Sequence, residues 1–213
     1  MAAENHLILA CAGQQHLQAL SKAMEGRPEP LMVHLAVNTG MNRIGFDTDQ
    51  DSAQDILRIS QLENIKILGI FTHLSCADMS SGEAVCFTDE QISSFAELIK
   101  MLEEKGLKIT YRHAFNSAAI ICRDTKVFNC VRSGIINYGL YPSNEVRHLY
   151  PELRPVMQFK ARVIDISEIN PGAAVGYGAT FVSDKKMKIA TISAGYADGY
   201  PRLMSGKGRV ILR

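Results

Sequence analysis

The sequence AGYADGYPR, residues 194–202, places two phenols and a carboxylate directly after a predicted strand. Tyr196 lies between small residues, and Asp198 and Tyr200 follow it. An ordinary phenol has a pKa of about 10, so it serves as a general base only where positive charge or hydrogen bonds favour the phenolate. A tyrosine at a strand end is more commonly a packed ring with a hydrated hydroxyl. A chemical role for this phenol therefore requires cationic partners elsewhere in the chain.

Such partners follow the ends of predicted strands, where the chemistry of parallel α/β proteins is concentrated. Several polar or glycine-containing segments come directly after apolar runs rich in β-branched residues. If the runs form one sheet, these segments meet at one edge of it. The candidate site residues in them are Arg43, His73, His113, Asn116, Ser117, Arg132, Gly134 and Ile135.

Taken one at a time, these residues leave alternatives open. Ser117 precedes an apolar run that can begin a helix, where a hydroxyl either binds phosphate or caps the helix. Gly134 either lets the backbone approach a ligand or marks a turn. His73 and His113 are ambiguous alone, because a structural histidine with satisfied hydrogen bonds is the more common case. No HExxH or comparable spacing is present, so we expect no metal site.

The elements that must position these residues alternate between strands and helices. Residues 88–104 have the clearest helical spacing, with Thr88 and Gln91 as a predicted capping box. Residues 13–25 and 50–61 also have helical character. This alternation predicts a parallel α/β sheet or barrel. The predicted strands are Leu7–Cys11, Leu31–Val37, Ile65–Phe71, Ile109–His113 and Cys130–Ile136.

The pattern changes after Leu153, where strand-like runs follow one another without a helix. We predict strands at 156–166, 174–180, 187–192 and 209–212, which is typical of a mainly β domain. The expected domains are residues 1–145 and residues 154–213. A closed (β/α)8 barrel needs eight strand–helix units. Because about five are predicted here, we expect an incomplete chain.

Composition excludes several classes of partner. The 213 residues carry 23 Lys and Arg against 22 Asp and Glu, so charge indicates neither a nucleic-acid nor a membrane-surface partner. No run approaches the roughly 18 apolar residues of a membrane span. The N-terminus has no secretory signal pattern. Five scattered cysteines favour reduced thiols and a cytoplasmic location.

Seven segments in order resemble the alanine racemase family, whose members use pyridoxal 5′-phosphate. They include VHLAVNTGMNRIGF, ILGIFTHLSCAD, FNSAA, VRSGIINYGLYPS and IATISAGYADGYPR, together with LRPVMQFKARVI and GAAVGYGATF. The resemblance implies an N-terminal (β/α)8 TIM-like barrel followed by a C-terminal β domain. The chain would cover the second part of the barrel and the start of the β domain.

The resemblance also implies roles. Tyr196 matches the catalytic tyrosine, which in the family acts in the active site of its dimer partner. Arg132 matches the arginine facing the pyridine nitrogen, and Arg43 the one that reaches the substrate carboxylate. Ser117, Gly134 and Ile135 match phosphate contacts, and Asn116 falls in the same cofactor-binding segment. His73 matches the histidine that lies by the cofactor ring. His113 matches the histidine that supports the arginine corresponding to Arg132. The implied function is interconversion of L- and D-alanine for bacterial peptidoglycan, by a cytoplasmic homodimer.

The chain departs from the family pattern in three places. It has no residue matching the Schiff-base lysine, which in the family lies on the first barrel strand, so we expect the 213-residue chain to be inactive alone. Ala36 stands where many relatives have a carbamylated lysine, and Asn38 where aspartate is frequent. The alternatives are a serine or other amino-acid racemase of the same fold, a non-catalytic pyridoxal phosphate-binding fragment, and a poorly folding remnant.

Overall fold

A computed structural model describes residues 1–150 and 152–212, apart from the side chain of Thr125. The chain divides into two compact units, residues 1–156 and residues 157–213.

The first unit is built on a four-stranded parallel sheet in the order β1-β2-β3-β4. β2 and β3 carry the longest parallel pairing, and both are largely buried because apolar side chains occupy both faces. The strands are β1 (Leu9–Cys11), β2 (Leu31–Ala36), β3 (Ile65–Phe71) and β4 (Tyr111–His113).

The predicted fifth strand, Cys130–Ile136, is wrong. Only Cys130 pairs with the sheet, through a single parallel bridge to His113. The backbone N–H of Arg132 then donates to the carbonyl of Phe115, just beyond β4, and no strand pairing continues after Cys130. Residues Ile135–Tyr138 form a 3-10 helix that ends at Gly139, where φ is +70°.

Helices follow each of the four strands and cover the sheet. They are α1 (Gln14–Ala23), α2 (Gln50–Ile59), α3 (Gly82–Glu104) and α4 (Ser117–Cys122), and a further helix, α5 (Asn144–Leu149), comes later in the unit. Asp49 caps α2 by accepting a hydrogen bond from the N–H of Ser52.

The capping box predicted at Thr88 and Gln91 is wrong, because α3 begins six residues earlier. Ser81 is the N-cap residue and accepts from the N–H of Ala84. Thr88 lies inside the helix, where its hydroxyl donates to the carbonyl of Ala84 at 2.7 Å. The helical periodicity identified the segment but not its first turn.

The core of the first unit lies between the sheet and these helices. Phe95 of α3 packs edge-on against Phe128, with ring centroids 5.2 Å apart, and Phe115 packs against the other side of Phe128 at 5.4 Å. Phe95 and Phe115 have no exposed surface. This core holds β4 and the start of α4 in place, and both elements carry predicted site residues.

The second unit contains two short antiparallel pairs. β5 (Val163–Ile169) pairs with β8 (Met187–Ile192), and β6 (Ala174–Val175) pairs with β7 (Phe181–Val182). The strand predicted at 156–166 therefore begins later, the one at 174–180 is interrupted by the 3-10 turn Tyr177–Ala179, and the one at 209–212 is not formed.

None of the helices in the described part of the chain combines the length and the apolar character needed to cross a bilayer.

Candidate active site

Arg132 is the centre of a polar cluster at the carboxyl ends of β3 and β4. Its Nη1 donates to Nδ1 of His113 at 2.8 Å and to the carbonyl of the same residue at 2.9 Å. Its Nη2 shares two N–H groups among the carbonyls of Thr72 at 2.7 Å and Ala114 at 3.1 Å and the more distant Nδ1 of His73 at 3.3 Å. A guanidinium has donors but no acceptor, so this geometry uses its planar fork fully.

The cluster keeps its imidazoles neutral. Burial and then the charge of Arg132 lower the pKa of His113 to about 4, with a smaller contribution from His34. Burial, Arg132 and Arg43, in that order, lower the pKa of His73. Burial also lowers the pKa of Arg132, whose guanidinium stacks over the ring of Phe71 with its central carbon 5.5 Å from the centroid.

Tautomers follow from these contacts. Because Arg132 can only donate, Nδ1 of His113 and Nδ1 of His73 are both acceptors. A neutral imidazole that accepts at Nδ1 carries its proton on Nε2. The cluster therefore presents His73 as an N–H donor at Nε2.

Ser117 and Gly134 form a second polar group next to this cluster in the chain. The N–H of Gly134 donates to Oγ of Ser117 at 2.9 Å, and Ser117 is buried. A Cβ at position 134 would lie 3.2 Å from that oxygen, so a side chain there would crowd the hydroxyl. Ile135, which is 42% exposed, begins the adjoining 3-10 helix, whose first N–H groups have no partner within the helix.

Asn116 serves the fold in this structure. Its Oδ1 caps α4 by accepting from the N–H of Ala119, and its Nδ2 donates to the carbonyl of Leu74 at 2.9 Å. It therefore ties the start of α4 to the segment after β3. The helix-capping role considered for Ser117 is therefore filled by Asn116, the residue before it.

Arg43 is exposed on the loop after β2 and borders a small cavity of about 20 Å³ together with His73 and Ala36. Asn38 organises this loop: its Oδ1 accepts from the N–H groups of Gly40 and Asn42. Nδ2 of Asn38 donates to Oδ1 of Asp47 at 3.1 Å and to Oδ1 of Asn42. An aspartate at position 38 could not make these last two bonds.

Tyr196 lies in the second unit, at the start of the 3-10 turn Tyr196–Asp198 that follows β8. The side chain is 74% exposed, and the guanidinium of Arg202 lies 5.9 Å from its ring centroid. Asp198 accepts from the N–H of Gly195 and so shapes the turn. The remaining predicted site residues all lie in the first unit, whereas Tyr196 lies in the second.

Two residues of the site were missed from the sequence. His34, on β2, contacts Nε2 of His113 through its own Nδ1 at 2.9 Å. Gln91, buried on α3, accepts from Ser75 and donates to Thr39 and to the carbonyl of His73. For His34 the available signal was a polar residue inside the apolar run 31–37, which marks a buried hydrogen-bonding group. Gln91 lies among other polar residues, so the sequence around it carries no such signal.

The donor set fits the cofactor implied by the sequence. Among the described residues, Nε of Arg132 has no hydrogen-bond partner, although both Nη atoms are fully engaged, so the guanidinium retains one N–H that can donate to a ligand acceptor such as a ring nitrogen. The hydroxyl of Ser117 accepts from Gly134 and retains its own proton for donation to a phosphate oxygen.

The sequence matches two family profiles. Residues 1–142 match the alanine racemase N-terminal domain, and residues 156–213 match the alanine racemase C-terminal domain. An alanine racemase of Clostridium novyi (strain NT) is 44% identical over 197 residues, which are 92% of this chain and 50% of that protein. Alanine racemase 2 of Caldanaerobacter subterraneus is 36% identical over 213 residues, 100% of this chain and 54% of that protein.

Solved structures give the same result. The alanine racemase of Clostridium difficile 630 matches with a TM-score of 0.87 at 34% identity, over 95% of this chain and 52% of that one. The alanine racemase of Bacillus anthracis with bound L-Ala-P matches with a TM-score of 0.85 at 30% identity, over 97% and 53%. The predicted fold class is confirmed, and the chain spans about half the length of the curated relatives it matches.

Proposed function

Because the chain belongs to the alanine racemase family, we propose that the whole protein is a pyridoxal phosphate-dependent isomerase that interconverts L-alanine and D-alanine. In a bacterium this reaction supplies D-alanine for peptidoglycan. We place it in the cytoplasm, because scattered cysteines favour a reducing compartment. The two units correspond in this proposal to the barrel part, 1–145, and the start of the β domain, 154–213.

The observation that carries the proposal is the Arg132 cluster. A guanidinium held by five contacts to His113, His73 and neighbouring carbonyls keeps its proton and leaves Nε to donate. Such a donor at a pyridine nitrogen leaves that nitrogen unprotonated, because arginine does not give up its proton near neutral pH. This arrangement suits racemisation, since it limits electron withdrawal into the ring and disfavours transamination.

When bound, pyridoxal phosphate supplies the conjugated system that stabilises negative charge at the substrate α-carbon. The hydroxyl of Ser117 and the backbone N–H of Ile135 would bind the phosphate, and Gly134 would contribute through its N–H, which orients Oγ of Ser117. Asn116 supports this group by fixing the start of α4. Arg43 binds the substrate carboxylate, for which its forked donors are well matched.

Racemisation removes a proton from one face of the α-carbon and returns one to the other, so it uses two bases on opposite sides. We assign one of them to the phenol of Tyr196, contributed by the second subunit of a homodimer. His73 supports this role, because its Nε2–H can donate to the phenolate oxygen, and a hydrogen bond to the charged form favours that form. The positive charge of Arg132 acts in the same direction.

The test is racemase activity of the whole protein loaded with pyridoxal phosphate. We expect L-alanine to yield D-alanine, measured with a D-amino-acid oxidase reaction or by loss of optical rotation. Tyr196→Phe removes only the phenolic oxygen and is expected to lower kcat at least about a hundredfold, as removal of a general base does.

Tyr200→Phe is the matched control, since it removes the other phenol of the same segment, and we expect its kcat within about twofold of the parent protein. A parent protein that binds the cofactor and forms no D-alanine contradicts the proposal. Equal activity of the two variants contradicts the role assigned to Tyr196.

A further inference from the structure

His34 contains a buried ring nitrogen without a hydrogen-bond partner. Among the described residues, its Nε2 is one of few buried side-chain nitrogens with no hydrogen-bond partner. A buried donor left unpaired is costly, and such a group in a folded protein calls for an explanation. The explanation lies in the other ring nitrogen of the same residue.

The position of each proton along this chain of contacts is forced from one end. Arg132 can only donate, so Nδ1 of His113 accepts and Nε2 of His113 carries the proton. That proton points along the 2.9 Å contact to Nδ1 of His34, which must accept it. His34 is then left with its own proton on Nε2, which is the atom without a partner.

The surroundings hold the His34 ring in this orientation. A Cβ on Gly69, the residue paired with His34 on β3, would lie 2.7 Å from Nε2 of the ring, so only glycine leaves it room. The ring of Tyr111 on β4 flanks it, with centroids 5.4 Å apart. Burial lowers the pKa of His34, which keeps the ring neutral and its Nδ1 free to accept.

We propose that His34 is a positioning residue that accepts the Nε2 proton of His113 and thereby holds Nδ1 of His113 towards Arg132. Without this acceptor, the His113 N–H would be buried and unpaired, and the ring would gain by turning away from the guanidinium. Arg132 would then lose one of the contacts that set its orientation. The unpaired Nε2–H of His34 is the energetic cost of this directional chain.

The direct test is the position of the protons in the 15N-labelled 213-residue chain. Long-range 1H–15N spectra report which ring nitrogen is protonated, and coupling across an N–H···N bond identifies donor and acceptor. We expect the shared proton on Nε2 of His113, coupled to Nδ1 of His34, and the other His34 proton on Nε2. A proton on Nδ1 of His113, or donation from His34 to His113, overturns the proposal.

Two near-isosteric variants separate positioning from packing. His34→Asn keeps an oxygen close to the place of Nδ1, whereas His34→Leu has the same shape and no acceptor. We expect the exchange of the His113 Nε2 proton with water to accelerate at least about fivefold in His34→Leu, the factor that corresponds to one net hydrogen bond. In His34→Asn it should stay within about twofold of the parent.

Equilibrium unfolding of both variants provides the comparison with a purely structural role. If His34 only fills space, the His34→Leu variant should be at least as stable as the His34→Asn variant, and the His113 proton should exchange equally fast in both. That outcome would contradict the proposal. The consequence for catalysis, a lower kcat in His34→Leu restored in His34→Asn, rests on the proposed function. The proton positions are measured without turnover, so the failure of one conclusion is distinguishable from the failure of the other.

Discussion

The two units of the chain differ in how they hold their functional residues. In the first unit, His113 and Ser117 are each 7% exposed and rest on a continuous buried core. In the described part of the second unit, Ser183 is the one buried residue, and the side chain of Tyr196 is 74% exposed. The first unit positions its site residues by packing and hydrogen bonds, whereas the second holds its phenol mainly by the shape of a turn.

This difference indicates which site residues are oriented by their own unit. Two-stranded sheets are marginal when nothing covers their apolar faces. Ile164, Ile166 and Val182 of the second unit are each more than half exposed. The Arg132 cluster, in contrast, is complete within its own unit. We therefore expect substitutions in the first unit to change stability and cofactor binding, and those in the second to change turnover.

The largest effect is expected from the core of the first unit. Phe95→Ala removes a fully buried ring that packs against Phe128, and we expect it to lower the free energy of unfolding by about 3–5 kcal/mol. Phe159→Ala removes a ring that is 61% exposed in the second unit, and its expected effect is below about 1 kcal/mol. Urea unfolding of both variants measures the contrast, and equal losses would break the comparison.

Arg132→Lys is expected to cost about 2–3 kcal/mol, because a lysine keeps the charge but leaves the carbonyls of Thr72 and Ala114 without their donor. Pyridoxal phosphate affinity, followed by absorbance, should fall in parallel. Arg202→Lys is the control in the second unit, where the guanidinium lies over an exposed ring. Retention of both stability and affinity in Arg132→Lys would show that the cluster does not depend on the guanidinium fork.

Acid should destabilise the first unit, because folding lowers the pKa values of His34 and His73 and also that of His113. The pKa of His113 is about 4 in the folded chain and 6.5 as a model value, so between these values the unfolded state binds more protons. Stability is therefore fully present above pH 6.5 and is lost as pH falls, by about 2 kcal/mol between pH 7 and pH 5. Residues 157–213 contain no histidine. The carboxyl groups of Glu4, Asp49 and Glu145 have lowered pKa values and titrate below this window.

The measurement is the urea midpoint at the two pH values. His113→Asn should lose much less stability between pH 7 and pH 5 than the parent, although it starts lower. His148→Gln changes an exposed histidine and should leave the pH dependence as it is. An unchanged pH dependence in His113→Asn would contradict the assignment to this residue.

The contrast between the units also explains what could be predicted from sequence. Arg132, His73 and His113 were identified because parallel strands bring their carboxyl ends to one edge, and ordered motifs resembled a known family. The strand at 130–136 was predicted from its apolar run alone. In the structure the pairing stops at Cys130, and nothing in the apolar run marks that position.

His34 was missed for a related reason. A single histidine in the run Leu31–Val37 has no local pattern that assigns it a partner, because its contact with His113 joins residues 79 positions apart. The glycine that makes room for it, Gly69, lies on a third segment. Strand register therefore had to be known before the chain of contacts could be recognised. The strand bounds of the second unit are predicted less accurately still, because short exposed strands show little hydrophobic periodicity.

The smallest predicted effect concerns the Arg43 loop, in which Asn42, Arg43 and Ile44 are exposed. Asn38→Asp replaces an amide that donates to Oδ1 of Asp47 at 3.1 Å with a carboxylate, so two negative charges come together where a hydrogen bond was. We expect a loss of about 1 kcal/mol that diminishes with added salt, because the repulsion is screened at the surface. Asn170→Asp in a turn of the second unit should change stability by less than about 0.5 kcal/mol. If both substitutions left stability unchanged at low salt, the hydrogen bonds of Asn38 would not hold the Arg43 loop. In that case we would also expect Asn38→Asp to leave the KM of the whole protein for alanine unchanged.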